Sequence, residues 1–209
     1  MKSANKKTGP GSTLVKSHKR KMEIVNKTAA LFIKKGYPGT SVRDIAAECD
    51  MNLATLYHYV GSKENILSLY LDSVTESMSQ FTREALPMLQ HIPPKEALSK
   101  VVQMYLEYCD ELQDVIVFWH QESKNLIPEK LGRLLSQEIQ LADMLKSILT
   151  WGIRSGDFKI KDLDVQAHAI IVLCDMWCFR RWYFQQKYSL QQYTELIIDV
   201  ILKGVTSRE

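Results

Sequence analysis

The distribution of glycine and proline is the feature that most restricts how this chain can fold. All nine glycines and six prolines of the 209 residues fall into short clusters, at 9–11, 36–39, 61, 87–94, 128–132, 152–156 and 204. The stretches between them are rich in Leu, Ile, Glu, Lys, Gln and Ala, and their apolar residues recur with helical spacing. No convincing run alternates apolar and polar residues. The sequence therefore predicts an all-α protein whose helices end at the clusters.

The composition excludes several other classes of protein. A chain with 45% hydrophobic and 24% charged residues is typical of globular proteins. No apolar run approaches the roughly 18 residues that a membrane span requires, and the basic first twenty residues contain no secretory signal. The four cysteines lack the spacing of a disulfide framework, so we expect reduced, buried thiols. These features predict a cytoplasmic protein without membrane contact.

Charge is distributed unevenly along the chain. Residues 1–70 contain twelve basic and five acidic side chains, whereas residues 71–209 contain fifteen basic and nineteen acidic ones. A basic first part and an acidic second part suggest that only the first part meets a polyanion, although a solvated basic surface would give the same count.

The first part contains the pattern of a helix-turn-helix. A first helix is predicted from about Lys19 to Lys35, preceded by a basic flexible arm over residues 1–18. Ser41 and Asp44 fit a capping box at the start of a second helix, and Asn52 can cap a third over residues 53–60. In a helix-turn-helix the second of two short helices enters the major groove. We expect a DNA-binding domain over residues 19–66 and a second helical domain over residues 67–209.

Two segments of this region carry a specific resemblance. ALFIKKGYPGTSVRDIA at 30–46 and LYHYVGSKENIL at 56–67 resemble, in order and spacing, the DNA-binding domain of the TetR family of transcriptional repressors. The similarity extends over about residues 20 to 67. The family usually has glycine, with positive φ, where this chain has Asp50; aspartate tolerates that conformation better than most residues, so we expect the turn to be kept.

The resemblance implies which side chains contact DNA. Thr40 and Ser41 would bind phosphates through hydroxyls and helix-terminal amides, and Arg43 would reach a phosphate or a guanine edge. Four residues at the start of the third helix would face base edges: Asn52, Leu53, Ala54 and Thr55. The remaining candidates would contact the backbone or flanking bases: Tyr57, His58, Tyr59 and Lys63. Tyr59 could equally belong to the core.

The second part ends in two helices that are apolar nearly all round. They are predicted over residues 165–187 and 190–205, and helices without a polar face must be covered on several sides. A second subunit most simply covers one side, and the resemblance implies a four-helix dimer interface at these helices. A core formed entirely within one chain is the alternative.

Aromatic residues of the second part suggest a small-molecule pocket between helices, although ordinary helix packing would also explain them. Arg180 and Arg181 suit a phosphate or carboxylate. The segment from Gly156 to Tyr183 weakly resembles regulators of the family that sense acyl-CoA thioesters. The predicted ligand-binding residues are Tyr105, Phe118, Trp119, Trp151, His168, Trp177, Arg180, Arg181 and Tyr183.

These observations predict a ligand-responsive transcriptional repressor with about nine helices. It would bind a palindromic double-stranded operator as a homodimer and be released by a small apolar effector such as an acyl-CoA. No P-loop, GxGxxG, GxSxG or HExxH pattern occurs, so we expect no catalysis, metal or cofactor. A constitutive DNA-binding dimer without effector remains the alternative, and a thiol or metal sensor using Cys174 and Cys178 is a third possibility.

Overall fold

A computed structural model describes residues 10–89, 91–122 and 128–206, and these residues form ten helices and no strand. The predicted all-α class is therefore confirmed. The helices are α1 Pro10–Lys35, α2 Val42–Glu48, α3 Leu53–Val60, α4 Lys63–Leu89, α5 Pro94–Glu111, α6 Gln113–Glu122, α7 Pro128–Arg154, α8 Leu163–Phe179, α9 Arg181–Phe184 and α10 Leu190–Val205. The chain divides into two compact units between Ser73 and Val74, within α4.

In the first unit, α1 packs against α2 and α3, which also pack against each other. Phe32, Ile45 and Leu56 contribute one fully buried side chain from each of these helices. Burying such a side chain contributes about 1.5–3 kcal/mol, so this small core holds the two short helices in place. Neither short helix is long enough to be stable alone.

In the second unit, α5 packs against α7, α8 and α10, and α8 also packs against α6 and α7. The end of α7 leaves no room for a larger residue at Gly152, because a Cβ there would lie 1.9 Å from the ring of Phe158. The buried Phe158 ring therefore closes over this helix end. The segment between α7 and α8 is bonded to the end of α10, because the amide of Lys159 donates a hydrogen bond to the carbonyl of Val205 at 2.7 Å.

Three helix boundaries differ from those predicted: the start of α1, the end of α4 and the end of α8. Helix α1 begins at Pro10 instead of Lys19, so residues 10–18 are helical and only residues 1–9 of the predicted arm lie outside the described residues. Proline is well suited to the first turn of a helix, where no amide partner is needed. Pro87 begins the cluster at 87–94, where a helix was predicted to end, but it lies inside the last turn of α4.

The predicted helix over residues 165–187 is two helices. Arg180 leaves the helical region with φ −113° and ψ 24°, so α8 ends at Phe179 and α9 begins at Arg181. The apolar spacing continues across this break, which is why periodicity did not detect it. Among the described helices, none is both long enough and apolar enough to cross a membrane.

Candidate nucleic-acid interface and effector pocket

Side-chain caps fix the starts of both short helices. The Ser41 hydroxyl accepts a hydrogen bond from the Asp44 amide at 3.1 Å, and the Asp44 carboxylate accepts one from the Ser41 amide at 2.8 Å. Asn52 accepts from the Thr55 amide at 2.8 Å. Hydrogen bonding by Ser41, together with the ion pair to Lys35, lowers the pKa of Asp44. The predicted capping box and the Asn52 cap are both confirmed.

The turn between α2 and α3 has the predicted conformation. Asp50 has φ 53°, the left-handed region in which glycine is most common. The amide of Met51 donates to the carbonyl of Ala46 at 3.0 Å, so the turn continues directly from the end of α2. Aspartate at this position therefore keeps the geometry of the helix-turn-helix.

Helix α3 presents one exposed face. Tyr57 is 48% exposed, whereas Leu56 and Val60 on the opposite face are buried, as predicted. Thr55 and Tyr59 are half-buried. The exposed predicted contact residues of the region are Ser41, Arg43, Asn52, Leu53, Ala54, Tyr57 and His58.

Lys63, at the start of α4, is positioned by a residue that the sequence analysis missed. Its ammonium lies 4.2 Å from the centre of the Tyr37 ring, and the Tyr37 hydroxyl donates to Glu64 at 3.3 Å. Tyr37 thus holds the lysine in one place by a cation–π contact. Its position inside the GYPGTS segment was the only available signal.

The hydroxyl contact predicted for Thr40 is wrong. Thr40 is 1% exposed, and its hydroxyl donates to the carbonyl of Gly36 at 2.9 Å. Its amide donates to the carbonyl of Tyr37 at 3.3 Å. Because both donors are used inside the protein, Thr40 stabilises the connection between α1 and α2 and its hydroxyl does not face a phosphate.

The second unit contains a pocket between α4, α5, α6, α7 and α8. It is partly enclosed and opens to solvent on one side. Its walls are mainly apolar. The lining residues are Val74, Thr75, Met78, Tyr105, Tyr108, Ile116, Trp119, His120, Glu138, Leu141, Ile171 and Asp175. Of the predicted ligand-binding residues, the structure brings Tyr105 and Trp119 together here.

The other aromatic candidates lie away from this pocket. Phe118 and Trp177 are buried, and the Trp177 indole donates to Asp110 at 2.8 Å. Trp151 lines a separate groove with Leu86 and Leu89, and His168 is exposed. Helical periodicity finds apolar faces, but it does not distinguish a pocket wall from core packing.

The residues after α8 are also outside the pocket. Arg180, Arg181 and Tyr183 are exposed, and Arg181 forms an ion pair with Asp114. Because α8 ends at Phe179, these residues no longer follow the helix face that carries Ile171 and Asp175. The structure therefore does not bring the arginine pair, predicted to bind a phosphate or carboxylate, into this pocket.

The polar groups of the pocket centre on Asp175, which the sequence analysis missed. Its Oδ1 accepts a hydrogen bond from the Tyr105 hydroxyl at 2.9 Å, and the Cys109 Sγ lies 3.8 Å away. Burial raises the pKa of Asp175 to about 6. The missed signal is its place in VLCDMWCF, one carboxylate inside an otherwise apolar run.

The cysteines of the second unit are buried free thiols, as predicted. The Cys178 thiol donates to the carbonyl of Cys109 at 3.4 Å. Burial raises the pKa of Cys174, and a raised pKa disfavours the reactive thiolate. Across the part of the chain that the structure describes, no three or more His, Cys, Asp or Glu side chains are grouped to hold a metal.

Apolar side chains remain exposed along α8, α9 and α10. Val165 and Trp182 are 68% and 61% exposed, respectively. Val172 on α8 and Leu196 and Val200 on α10 are also more than half exposed. Val165 and Val172 lie about two helical turns apart on α8, and Leu196 and Val200 about one turn apart on α10, so each helix carries a stripe of exposed apolar residues along one side.

Comparison with known proteins identifies similarity over both units. Residues 24–69 match the family described as "Bacterial regulatory proteins, tetR family", and residues 91–205 match "Tetracyclin repressor-like, C-terminal domain". The chain is 25% identical over 194 residues to the HTH-type transcriptional regulator HbdR of Aromatoleum sp. (strain CIB), covering 90% of this chain and 84% of HbdR.

Solved structures show the same fold. The TetR-family regulator PfmR from Thermus thermophilus has a TM-score of 0.74 and 28% identity, and the similarity covers 86% of this chain and 97% of PfmR. FadR from Bacillus subtilis, solved in complex with stearoyl-CoA, has a TM-score of 0.68 and 22% identity, covering 88% of this chain and 98% of FadR.

Proposed function

Because this chain belongs to the TetR family of transcriptional regulators, which are not enzymes, we propose that it represses transcription as a homodimer on a palindromic operator. An apolar effector that fills the pocket of the second unit would release it. The observation that carries the proposal is the capped helix-turn-helix with an exposed α3 face. This face consists of hydrogen-bonding, aromatic and small apolar side chains rather than the charged residues of an ordinary solvated helix.

The α3 face supports contact with base edges. Asn52, Leu53 and Ala54 stand at the start of the helix, the part that enters the major groove in this motif. Leu53 and Ala54 suit thymine methyl groups. Arg43, Tyr57, His58 and Lys63 would bind phosphates or flanking bases, and Thr55 and Tyr59 would contribute at the edge. The exposed Ser41 would contact a phosphate beside its cap.

The stripes on α8 and α10 support dimerisation through a second copy of the chain. Large exposed apolar patches are rare on monomers and typical of subunit interfaces. Both side chains are exposed in the single chain, so replacing them should not disturb the fold of the subunit. Leu196→Asp with Val200→Asp should therefore give a folded monomer, because it places charges in the apolar interface. The matched control is Glu195→Gln on the same helix. A stable wild-type monomer at micromolar concentration in sedimentation would contradict this assembly.

Helix α4 supports a route from effector to DNA. Val74, Thr75 and Met78 of α4 line the pocket, and the same helix begins at Lys63, directly after α3. A movement of α4 on ligand binding would change the separation of the two recognition helices. The two recognition helices must enter successive major grooves about 34 Å apart. A small change in their separation therefore weakens binding to both half-sites together.

An acyl-CoA thioester is the proposed effector class, supported by the apolar walls and by the similarity to the stearoyl-CoA complex of FadR. To move occupancy from 1:99 to 99:1 a ligand must favour the released state by about 5.5 kcal/mol. At about 0.8 kcal/mol per buried CH₂, roughly seven methylene groups enclosed only in that state would suffice.

The test is operator binding titrated with effectors. DNA from upstream of the protein's own gene is selected for binding, and the complex is then titrated with acyl-CoAs, free acids and unrelated apolar compounds. Release by acyl-CoAs would support the proposal. Tight operator binding that no compound weakens would instead favour the constitutive dimer without effector.

A further inference from the structure

Asp175 occupies an unusual position for a carboxylate. It lies in the middle of α8, is 6% exposed, and contributes to the wall of the pocket. Its described hydrogen bonds, from Tyr105 and Cys109, both end on Oδ1. On the side of Oδ2, the Nε2 atom of His120 lies 4.0 Å away, beyond hydrogen-bond length.

The other ionisable side chains of the pocket do not neutralise this carboxylate. Glu138 lines the same pocket and raises the pKa of Asp175 further, although burial is the larger cause. Burial lowers the pKa of His120, which favours the uncharged imidazole. No lysine or arginine is among the described lining residues. A second anion entering this space would meet two carboxylates at low dielectric, which is strongly unfavourable.

A second polar group of the pocket is also incompletely satisfied. The Tyr108 hydroxyl is buried and has no hydrogen bond of acceptable geometry within the described residues. Burial raises the pKa of Tyr108, and a hydrogen-bonding interaction with the Ser77 side chain, too poor in geometry to count as a full hydrogen bond, opposes that effect. Buried polar atoms are nearly always hydrogen-bonded, and an exception needs an explanation such as a ligand. Tyr108 and Asp175 line the same apolar space.

From the Asp175 carboxylate in this apolar space we infer that the enclosed part of the effector is an apolar skeleton carrying a hydrogen-bond donor, a hydroxyl or an ammonium, which binds Oδ2 of Asp175. The pocket would reject a molecule whose carboxylate enters it. The inference rests on the proposed function only in taking this pocket as the effector site. It concerns the enclosed part alone, so a thioester is compatible when its acyl group carries such a donor.

The experiment uses four probes that share one skeleton: butylbenzene, 4-butylphenol, 4-butylbenzylamine and 4-butylbenzoate. Trp119 lines the pocket, so binding to the full-length protein is measured by tryptophan fluorescence, with Trp119→Phe to identify the reporting residue. The phenol and the amine should bind about tenfold more tightly than butylbenzene, as expected for a hydrogen bond to a charged acceptor. The benzoate should bind most weakly. The benzoate binding as tightly as the phenol would overturn the inference.

Asp175→Asn tests the acceptor directly. The amide keeps the size of the side chain and can still accept the Tyr105 hydrogen bond, but it removes the charge. We expect about a tenfold loss of affinity for the phenol and a larger loss for the amine, while the benzoate binds better. Asp143→Asn, on the exposed surface of α7, is the matched control. An unchanged phenol affinity in a folded Asp175→Asn protein would assign Asp175 a purely structural role. If that variant does not fold, the order of the four probes on the wild type decides.

The two proposals fail differently. If the phenol binds through Asp175 but leaves the operator complex intact, the inference holds and the proposed release is wrong. If the operator is released equally well by effectors with and without an enclosed donor, the proposed function holds and the inference is wrong.

Discussion

The polar groups of the two units form hydrogen bonds with partners at very different separations along the sequence. In the helix-turn-helix, Ser41 pairs with Asp44 and Asn52 with Thr55, each three residues away and at the surface. In the pocket, Asp175 is bonded to Tyr105, seventy residues earlier and fully inside the protein. Local caps stabilise the DNA-binding unit and leave its outer face free to bind. The buried carboxylate instead costs stability, and that cost is typical of binding sites.

The largest expected effect concerns this cost. The folded-state pKa of Asp175 is about 6, above its ordinary value of 3.8, so the folded protein binds the proton more tightly than the unfolded chain. Its contribution to stability is therefore greatest below about pH 4 and is lost as pH rises to 6. A shift of this size corresponds to up to about 3 kcal/mol at pH 7.

Asp175→Asn should accordingly raise the free energy of unfolding at pH 7 and flatten its pH dependence between 4 and 6. Urea unfolding at fixed protein concentration measures both. The groups that face Asp175 are Tyr105, Cys109, His120 and Glu138. His120 acts in the opposite sense because its lowered pKa reduces stability in acid. His120→Gln removes this contribution, so the remaining pH dependence between 4 and 6 can be assigned to Asp175. A destabilised Asp175→Asn protein at pH 7 would contradict the comparison.

The second prediction concerns the exposed face of α3. Tyr57→Ala should weaken operator binding by roughly 1–3 kcal/mol if the side chain makes a direct contact. Its free energy of unfolding should change little, because the side chain is half exposed. Leu56→Ala, one residue away and fully buried, is the matched control: it should lower stability by about 2–5 kcal/mol. Equal operator affinity of Tyr57→Ala and wild type would remove Tyr57 from the interface.

The third prediction tests the local caps. Asn52→Ala removes the hydrogen bond to the Thr55 amide and should cost about 1 kcal/mol of stability. Asn52→Asp restores a cap but adds a negative charge toward DNA. Asn52→Ala should therefore unfold at a lower temperature than Asn52→Asp, while both variants should bind the operator more weakly than wild type. If Asn52→Ala binds DNA normally after correction for stability, Asn52 is a cap alone.

These separations along the sequence also explain which features could be predicted from it. The caps at Ser41 and Asn52 and the turn at Asp50 depend on residues within five positions, so their patterns are visible in the chain. The burial of Thr40 depends on the path of the chain around Gly36, and Asp175 meets Tyr105 and Cys109 only when α8 packs against α5. Periodicity found the helices of the second unit but did not locate their pocket or the break at Arg180.

The smallest expected effect concerns Arg181, which the sequence suggested as a partner for an anionic effector. Its guanidinium is paired with Asp114 at the surface and is not among the described residues of the pocket wall. Exposed ion pairs contribute about 0–1 kcal/mol, and lysine keeps the charge. Arg181→Lys should therefore leave both the effector concentration needed for release and the stability within about 0.5 kcal/mol of wild type. An operator-release titration compares the two proteins, with Asp175→Asn as the positive control. A severalfold rise in the effector concentration required by Arg181→Lys would show that the effector extends beyond the pocket to α9. In that case the anionic part of the ligand would be bound at the surface, while Asp175 determined only the chemistry of the enclosed part.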